Sequence, residues 1–238
     1  MCIKRELLSL LGMLHHAAKV VPPGRTFLRR MIDTSMLATQ NHHHIRLGLG
    51  FRSDLHWWSL FLGMIQGEST PSGIVVTSDA SGSWGCGAFS QTGDWFQIPW
   101  QGYWVGVHIT VKELLPVVVA CALWGRSSQG HSIQVRCAVV AILRSGTSKD
   151  KLAMHLVRCL AFFKAEFGFT IVAEHLPGRL NTAADALSRD KLSHFCPKAP
   201  QTPVAIPQEL FQALIATQLD WTSVSWKRMF HSILGKVV

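Results

Sequence analysis

The sequence predicts an α/β fold in which a mixed sheet of five strands is flanked by helices and preceded by a helical segment. Short apolar segments typical of strands alternate with longer helical patterns between residues 74 and 190. Turn residues separate the first three strand segments and helices separate the later ones, so antiparallel pairing should come first and parallel pairing later. With 48% hydrophobic and 16% charged residues among 238, the composition is that of a globular protein.

The first part of the chain, residues 1–68, predicts helices. Apolar residues recur at helical spacing from 7 to 18, and we favour an amphipathic helix there over a signal peptide because Glu6 interrupts the apolar run. VPPGRTFLRRMID places a turn before a second helix, and RSDLHWWSLFLGMI predicts a third with Ser53 as its N-cap. The turn cluster GESTPSG, at 67–73, is the best domain boundary.

Residues 74–190 predict the sheet and its helices in the order βββαβααβα. The segments IVVTSDA, GCGAFS and DWFQIPW are strands, and QTGD is the hairpin turn between the second and the third. A helix at 108–124 leads to the strand HSIQVRC, then to a short helix and a longer helix that Ser148 can cap. FTIVAEH is the fifth strand, and the last helix, NTAADALSRD, has Asn181 as its N-cap.

Charge and cysteine usage indicate the partners and the compartment. The formal net charge of +9 favours polyanions, nucleic acid before an anionic membrane. The six cysteines form no C-x-x-C, so we expect neither a zinc knuckle nor a disulfide framework, and an intracellular protein of the cytoplasm or nucleus that is not secreted. The apolar run at 114–124 is far shorter than the roughly 20 residues that span a bilayer, so no membrane association is expected.

Three carboxylates stand where predicted elements enter or leave the sheet. Asp79 ends the first strand, Glu113 lies in the first turn of a helix, and Asp185 lies on the final small-residue helix. One such residue is usually a cap or a surface charge, but clustered carboxylates repel one another and need a cation. Hard oxygen ligands favour Mg²⁺ or Mn²⁺, and two such ions can hold the attacking and leaving oxygens of a phosphodiester.

Several motifs, taken in order, resemble a known family. TSDASGSWGCGAF, ITVKELLPVVVA and HLPGRLNTAADALSRD resemble the ribonuclease H domain of retroelement polyproteins, and ADALSR resembles its gypsy-like and DIRS-like groups. Upstream, LLSLLGMLHHAAKVVPPGRTFLRRMID and RSDLHWWSLFL resemble the reverse-transcriptase thumb and connection, and DWTSVSWKRMF resembles the spacer toward a tyrosine recombinase. The resemblance implies a thumb/connection-like remnant at 1–68, a ribonuclease H-like domain at 74–190, and a Pro-rich linker with a short helical tail at 191–238.

This resemblance also implies an activity and its residues. The family uses four acidic ligands and two metal ions, Mg²⁺ or Mn²⁺, to cut the RNA strand of an RNA–DNA hybrid. Three catalytic and metal-binding acids carry over by motif, namely Asp79, Glu113 and Asp185. His175, in HLPG, lies in the general area of a mobile histidine of the family, and the alternative is a structural histidine at a strand end.

The fourth acid of the family is missing at the junction IQVRCAVVAIL. Cys137 runs directly into Ala138, and the chain has no Asp or Glu between Glu113 and Asp150, which we expect to be a helix cap or a loop charge. Because that ligand would hold the ion that positions the attacking water, we expect the fold to survive and cleavage to be weak or absent. The alternatives are a non-catalytic nucleic-acid-binding module and a fragment of a decayed element with no selected function.

Other residues are candidates for contact with the hybrid, each with a structural alternative. Ser81 and Ser83, beside the first acid, can contact the hybrid backbone or serve only the turn. The basic residues of the second helix can bind phosphates or form a solubilising face; they are Arg25, Arg29 and Arg30.

Two further expectations follow from aromatic residues. The single Tyr and the absence of a Y-x-D-D-like motif predict no polymerase activity. Trp57 and Trp58 can stack on bases, but core packing is expected for one of them, since a helix normally buries one of two neighbours.

Overall fold

A computed structural model of the protein describes residues 1–62, 73–195, 201–216, 228–230, 232–233 and 235. These residues belong to two compact units. The first unit includes residues 1–62 and 228–230, and the second, the sheet unit, includes the remainder. The predicted boundary GESTPSG and most of DWTSVSWKRMF lie outside the described residues.

The first unit is helical, as its apolar periodicity predicts. Its elements are β1 (Cys2–Ile3), α1 (Lys4–Ala17), a 3₁₀ turn (Pro22–Phe27), α2 (Arg29–Ser35), β2 (His44–Ile45) and α3 (Leu49–Phe61). Strands β1 and β2 pair in antiparallel fashion. Helix α1 buries one stripe, Leu7, Leu11 and Leu14, and exposes the opposite face, which confirms the amphipathic helix.

Helix α3 differs from its prediction at its start. It begins at Leu49 after Gly48, one turn before the predicted cap, Ser53. Ser53 is therefore an interior residue of the helix, where it is buried. The prediction was wrong because cap position depends on where the preceding chain turns, and here the extended backbone ends at Gly48.

Both tryptophans of α3 are buried, so the expectation that only one would be hidden was wrong. Trp57 stacks on Phe27 with 5.0 Å between ring centroids. Trp58 lies against Gly24, where an added Cβ would be 2.5 Å from its ring. The 3₁₀ turn therefore covers two neighbouring positions of the helix, because Gly24 leaves room for the second indole.

The second unit contains the sheet. Its elements are β3 (Val75–Ala80), β4 (Gly85–Ser90), β5 (Asp94–Pro99), a 3₁₀ turn (Gly102–Gly106), α4 (Ile109–Trp124), β6 (Ser132–Cys137), α5 (Val140–Ser145), α6 (Lys151–Phe167), β7 (Thr170–His175), α7 (Thr182–Ser188), β8 (Thr202–Pro203) and α8 (Gln208–Ile215). The predicted order of strands and helices up to α7 is confirmed.

The strand order is β7-β6-β3-β4-β5-β8. Strands β3, β4 and β5 pair in antiparallel fashion, whereas β3, β6 and β7 are parallel, which confirms the ribonuclease H-like mixed α/β class. The sheet has six strands where five were predicted, because β8 pairs in parallel with β5 and covers the edge of the sheet. Residues 201–216, predicted as linker and tail, thus belong to the sheet unit, and α8 packs against α6.

Helices cover both faces of the sheet. Asp79 and Gly87 are register partners in β3 and β4 and point to the same face, and an added Cβ at Gly87 would lie 2.6 Å from Leu187 Cβ of α7. Cys86 points to the opposite face, where the charge of Glu113 on α4 acts on it. Helix α4 in turn packs against α6. The small residues of β4 therefore bring α7 directly onto the sheet beside Asp79.

Two polar residues, Ser148 and Asp150, lie at the N-terminus of α6. Asp150 caps α6, since its Oδ1 accepts the N–H of Ala153 at 2.8 Å, which confirms the cap role expected of it. Ser148 is not the cap as predicted; its hydroxyl accepts the N–H of Asp150 at 3.2 Å. No helix in the described part of the chain is long and apolar enough to cross a membrane.

Substitution of Gly87 tests the close approach of α7. Gly87→Ala should lower the melting temperature, because the new Cβ would meet Leu187 Cβ at 2.6 Å and Phe96 O at 3.0 Å. Overpacking of this kind costs about 1–3 kcal/mol, or roughly 2–12 °C for a unit of this size. Gly178→Ala is the control, since nothing lies within 4 Å of its added Cβ. Equal thermal unfolding of the two variants would contradict this packing.

Candidate active site

Three parallel strands of the sheet unit end at the same edge. Strand β3 ends at Ala80, one residue after Asp79, and β6 ends at Cys137, which is paired in register with His175 at the end of β7. The carboxyl ends of neighbouring parallel strands form the usual crevice for a ligand in open α/β sheets. The first two turns of α4 bring Glu113 to this edge.

Asp79 is held by two polar residues of the α7 segment. Its Oδ2 accepts the hydroxyl of Ser188 at 2.8 Å, and its Oδ1 accepts the amide N–H of Asn181 at 3.2 Å. Asn181 also donates to the carbonyl of Ser78 at 3.1 Å. Asn181 was predicted to cap α7, but its side chain makes no capping hydrogen bond, because its amide is directed toward β3.

Glu113 has the most perturbed carboxyl at this edge. Burial, followed by the negative charge of Asp79, raises its pKa to about 8, against a weaker opposing effect of a hydrogen bond from the Ala80 backbone. Its Oε2 atom is buried and has no hydrogen-bond partner among the residues described. At neutral pH, therefore, Glu113 is largely protonated and has a free acceptor beside Asp79.

The pKa of Asp79 is also raised, mainly by burial and secondly by the charge of Asp185. The hydrogen bonds from Ser188 and Asn181 and the charge of Arg189 oppose this shift. Asp79 is thus the central acid, since its charge acts on Glu113 and the charge of Asp185 acts on it.

Asp185 lies on the more exposed side of α7 and has a partner of its own. Arg189 donates its Nε–H to Asp185 Oδ1 at 2.6 Å, one turn along the chain. This hydrogen bond, with the charges of Asp185 and Asp79, raises the pKa of the arginine. Across the described ranges, no group of three His, Cys, Asp or Glu side chains is arranged to hold a metal ion.

Cys137 occupies the junction where the sequence resemblance predicts a fourth acid. It is 1% exposed, and α5 begins at Val140, so only two residues separate the strand from the helix. Burial raises the thiol pKa to about 11, and the charge of Glu113 also raises it, against a hydrogen bond from the Val139 backbone. The position is therefore close to Glu113 but is occupied by a neutral thiol. Asp150 does not replace the missing acid, because its carboxylate caps α6.

Asp79 and Glu113 are the residues that would hold a hard divalent cation at this edge. Asp79 and Glu113 supply carboxylate oxygens, and Glu113 Oε2 lacks another partner in the described residues. These are the donors that Mg²⁺ and Mn²⁺ prefer. Cys137, on which the charge of Glu113 acts, is a buried thiol and adds no hard ligand.

Of the other residues predicted near this edge, one is buried and two are exposed. Ser81 is buried, and its hydroxyl accepts the N–H groups of Trp84 and Gly85, both at 3.0 Å, so it closes the β3–β4 turn. Ser83, two residues later, is exposed. His175 is exposed at the end of β7.

The predicted arginines all lie in the first unit. Arg29 pairs with Asp33 at 3.1 Å, and Arg30 pairs with the buried Asp54 at 3.4 Å. Arg25 is exposed. The pair with Asp54 gives Arg30 a structural role, because a buried carboxylate needs its cation.

Sequence reasoning missed four residues that contact this edge: Asn181, Ser188, Arg189 and Lys112. Arg189 had a local signal, since it follows Asp185 by four residues on one helix. The other three act across 30 to 109 residues of chain, a distance at which spacing patterns carry no information.

Comparisons with known proteins identify no family. No family model matches the sequence, and no curated protein matches it. One similar solved structure is a foamy viral protease-reverse transcriptase in complex with dsDNA, with 15% sequence identity and a TM-score of 0.29. The alignment covers 71% of this chain and 39% of that chain. At this TM-score the similarity supports no conclusion about function.

The raised pKa of Glu113 predicts a pH-dependent stability. The folded protein keeps a proton on Glu113 up to about pH 8, whereas the unfolded chain loses it near 4.5. Wild-type stability therefore falls as pH rises through this window, and Glu113→Gln should remove that loss. At pH 8 the free energy of unfolding of Glu113→Gln should exceed that of wild type by on the order of 1–3 kcal/mol. This value is reduced to allow for the partial exposure of Glu113.

Urea unfolding at pH 5 and pH 8 measures this gain. Glu174→Gln is the control, because Glu174 pairs with Arg136 at 3.6 Å while half exposed, and its loss should cost about 1 kcal/mol or less. A Glu113→Gln protein no more stable than wild type at pH 8 would show that this carboxyl is not perturbed.

Proposed function

We propose that the sheet unit is a ribonuclease H-like domain of retroelement origin that binds RNA–DNA hybrids at the edge carrying Asp79 and Glu113, with cleavage activity that is weak or absent. The observation that supports this most directly is the Asp79–Glu113 pair. Two carboxylates share a largely buried position at the ends of parallel strands, each with a raised pKa. The motifs that resemble the family supply the identity of the substrate.

The acid pair is costly to the fold, and this cost favours a functional role. A buried carboxyl with a pKa of about 8 lowers the stability of the folded state above its unfolded pKa. Perturbed carboxyls that lie together in a cleft are typical of catalytic and ligand sites. Most of the chain's formal net charge of +9 lies outside the sheet unit, which has 13 Lys and Arg against 10 Asp and Glu; its net +3 still agrees with a polyanion-binding role.

Residues of this chain would prepare the edge for one cation. Ser188 and Asn181 fix the orientation of Asp79, and Glu113 must release its proton before both carboxylates can bind an ion. When bound, Mg²⁺ or Mn²⁺ would supply Lewis-acid charge stabilisation to a phosphodiester. Because Glu113 titrates near pH 8, cation binding should strengthen from pH 6 to pH 9 and release a proton.

Two features limit cleavage in this proposal. At Cys137 the thiol, with a pKa of about 11, carries no charge at neutral pH and offers no hard ligand. Asp185 is ion-paired with Arg189, so it must exchange a partner before it can bind a metal. Catalytic groups that act as a unit lose most of their effect when one is removed.

A non-catalytic nucleic-acid-binding module is the second candidate. The Asp185–Arg189 pair favours it, because the arginine already compensates charge at the acidic edge and acts on Asp79. Under this alternative the domain binds hybrid without any cleavage. A fragment of a decayed element with no selected function would do neither.

Restoring the missing acid tests the catalytic proposal. Inserting Asp-Asn between Cys137 and Ala138 should raise Mg²⁺-dependent cleavage of the RNA strand of a hybrid by on the order of tenfold or more, because it returns a hard ligand beside Glu113. Cleavage of a labelled hybrid, resolved by electrophoresis, measures the rate.

The matched control inserts Ala-Asn at the same place, which restores length without the acid. Asp79→Asn in the Asp-Asn protein should abolish the gained cleavage, since it removes the central ligand. A folded Asp-Asn protein that cleaves no faster than the Ala-Asn protein would contradict the proposal.

Hybrid binding separates the alternatives without relying on cleavage. The wild-type protein should bind a fluorescent RNA–DNA hybrid, with log affinity falling linearly as log salt concentration rises. In EDTA, with no divalent cation present, Asp79→Asn should bind at least as tightly as wild type, because it removes a negative charge near the phosphates. Binding without cleavage in every variant would favour the second candidate, and no binding would favour the decayed fragment.

A further inference from the structure

Lys112, which precedes Glu113 on α4, is a buried lysine that the proposed chemistry does not use. Its side chain is 2% exposed. Its Nζ donates to the carbonyl of Gly82 at 2.7 Å and to the carbonyl of Val105 at 3.3 Å. Within the described ranges it has no carboxylate partner within ion-pair distance, so its hydrogen bonds go to backbone carbonyls.

The two carbonyls belong to the two loops that adjoin the acids in the chain. Gly82 lies in the β3–β4 turn, three residues after Asp79, and Val105 lies in the 3₁₀ turn that precedes α4. Both loops are exposed at their tips, at Ser83 and at the Val105 side chain. One ammonium group thus joins two otherwise separate exposed segments.

An indole closes the other side of this ammonium. Lys112 Nζ lies 5.4 Å from the centroid of the Trp100 ring. Trp100 donates its Nε1–H to the carbonyl of Ser81 at 2.8 Å and its backbone N–H to the carbonyl of Trp84 at 2.7 Å. The Trp100 indole therefore also contacts the β3–β4 turn, through its hydrogen bond to Ser81. Because Lys112 is buried, its cation–π contact with this ring is stronger than an exposed one would be.

The stack continues outward to the C-terminal helix. Trp100 and Trp104 stack with 5.2 Å between their centroids, and Trp104 contacts Phe211 of α8 at 6.0 Å. Three aromatic rings thus form a continuous series that begins at the lysine and ends at α8. Burying an ammonium group without a carboxylate partner is costly. Here the group donates hydrogen bonds to two loop carbonyls and neutralises no carboxylate.

We propose that Lys112 is a positioning residue, which holds the 81–84 turn and the 102–106 turn together as one preformed rim beside Asp79 and Glu113. A preformed rim meets a nucleic-acid backbone without the entropy cost of ordering two loops. The effect on hybrid binding rests on the proposed function, whereas the loop clamp itself does not.

Lys112→Met tests the clamp, because methionine keeps most of the apolar stem and removes the ammonium. Lys151→Met is the matched control, since it removes the same charge from an exposed position at the start of α6. Hydrogen exchange of the Ser81 and Gly85 amides, which are hydrogen-bonded within the turn, should be at least tenfold faster in Lys112→Met than in Lys151→Met. Equal exchange in the two variants would overturn the clamp.

Hybrid affinity distinguishes positioning from simple stabilisation. At a temperature where all variants are folded, Lys112→Met should bind hybrid at least fivefold more weakly than Lys151→Met, and Lys112→Arg should recover most of the loss. Affinity equal to that of Lys151→Met, with only a lower melting temperature, would overturn the positioning role. If wild type binds no hybrid, the proposed function fails, and the exchange result still decides the clamp.

A measurement on the wild-type protein covers the case in which Lys112→Met does not fold. A hydrogen-bonded, buried ammonium exchanges its protons slowly, so nitrogen-15 NMR should show a lysine Nζ signal with nuclear Overhauser contacts to the Trp100 ring and to Gly82. Absence of that signal in the folded protein would overturn the proposal.

Discussion

The mutual repulsion of two partly buried carboxylates, Asp79 and Glu113, is the constraint around which the sheet unit is arranged. Neither charge is fully solvated at the ends of the parallel strands, so one carboxyl holds its proton up to a pKa of about 8. Hydrogen bonds from Ser188 and Asn181 and the charge of Arg189 partly compensate the other. A fold selected for stability alone would replace such a pair with apolar residues, and this is why the edge is the best candidate for function.

The docking of α7 follows from the same constraint. The helix segment supplies every compensating group of Asp79, and it reaches the carboxylate because Gly87 lets Leu187 approach the backbone of β4. Packing and electrostatics are therefore coupled at one contact. On the opposite face α4 carries Glu113 together with Lys112, whose ammonium holds backbone rather than acid. Helices α7 and α4 thus pack on opposite faces of the sheet at its acidic edge.

Under the proposed function, the short junction after β6 lets a ribonuclease H-like fold persist without the acid that the resemblance places there. Cys137 and Val139 are both buried, so the junction contributes to the core through apolar contacts. A ligand carboxylate at this place would add repulsion to an already strained pair and would contribute nothing to packing. Under the proposal, the absence of that carboxylate therefore spares the fold this repulsion and weakens metal binding, and the two consequences have one physical cause.

Local patterns in the sequence were sufficient for the strand and helix order and for the antiparallel-then-parallel pairing, because periodicity and turn chemistry act over a few residues. Motif resemblance placed Asp79 and Glu113 at one edge. Only the tertiary structure decided that Asn181 would hold Asp79 instead of capping α7, and that Ser53 would lie inside α3. It also decided that β8 would add a sixth strand. These outcomes depend on groups brought together from distant parts of the chain, and no local spacing encodes which polar atom will be nearest.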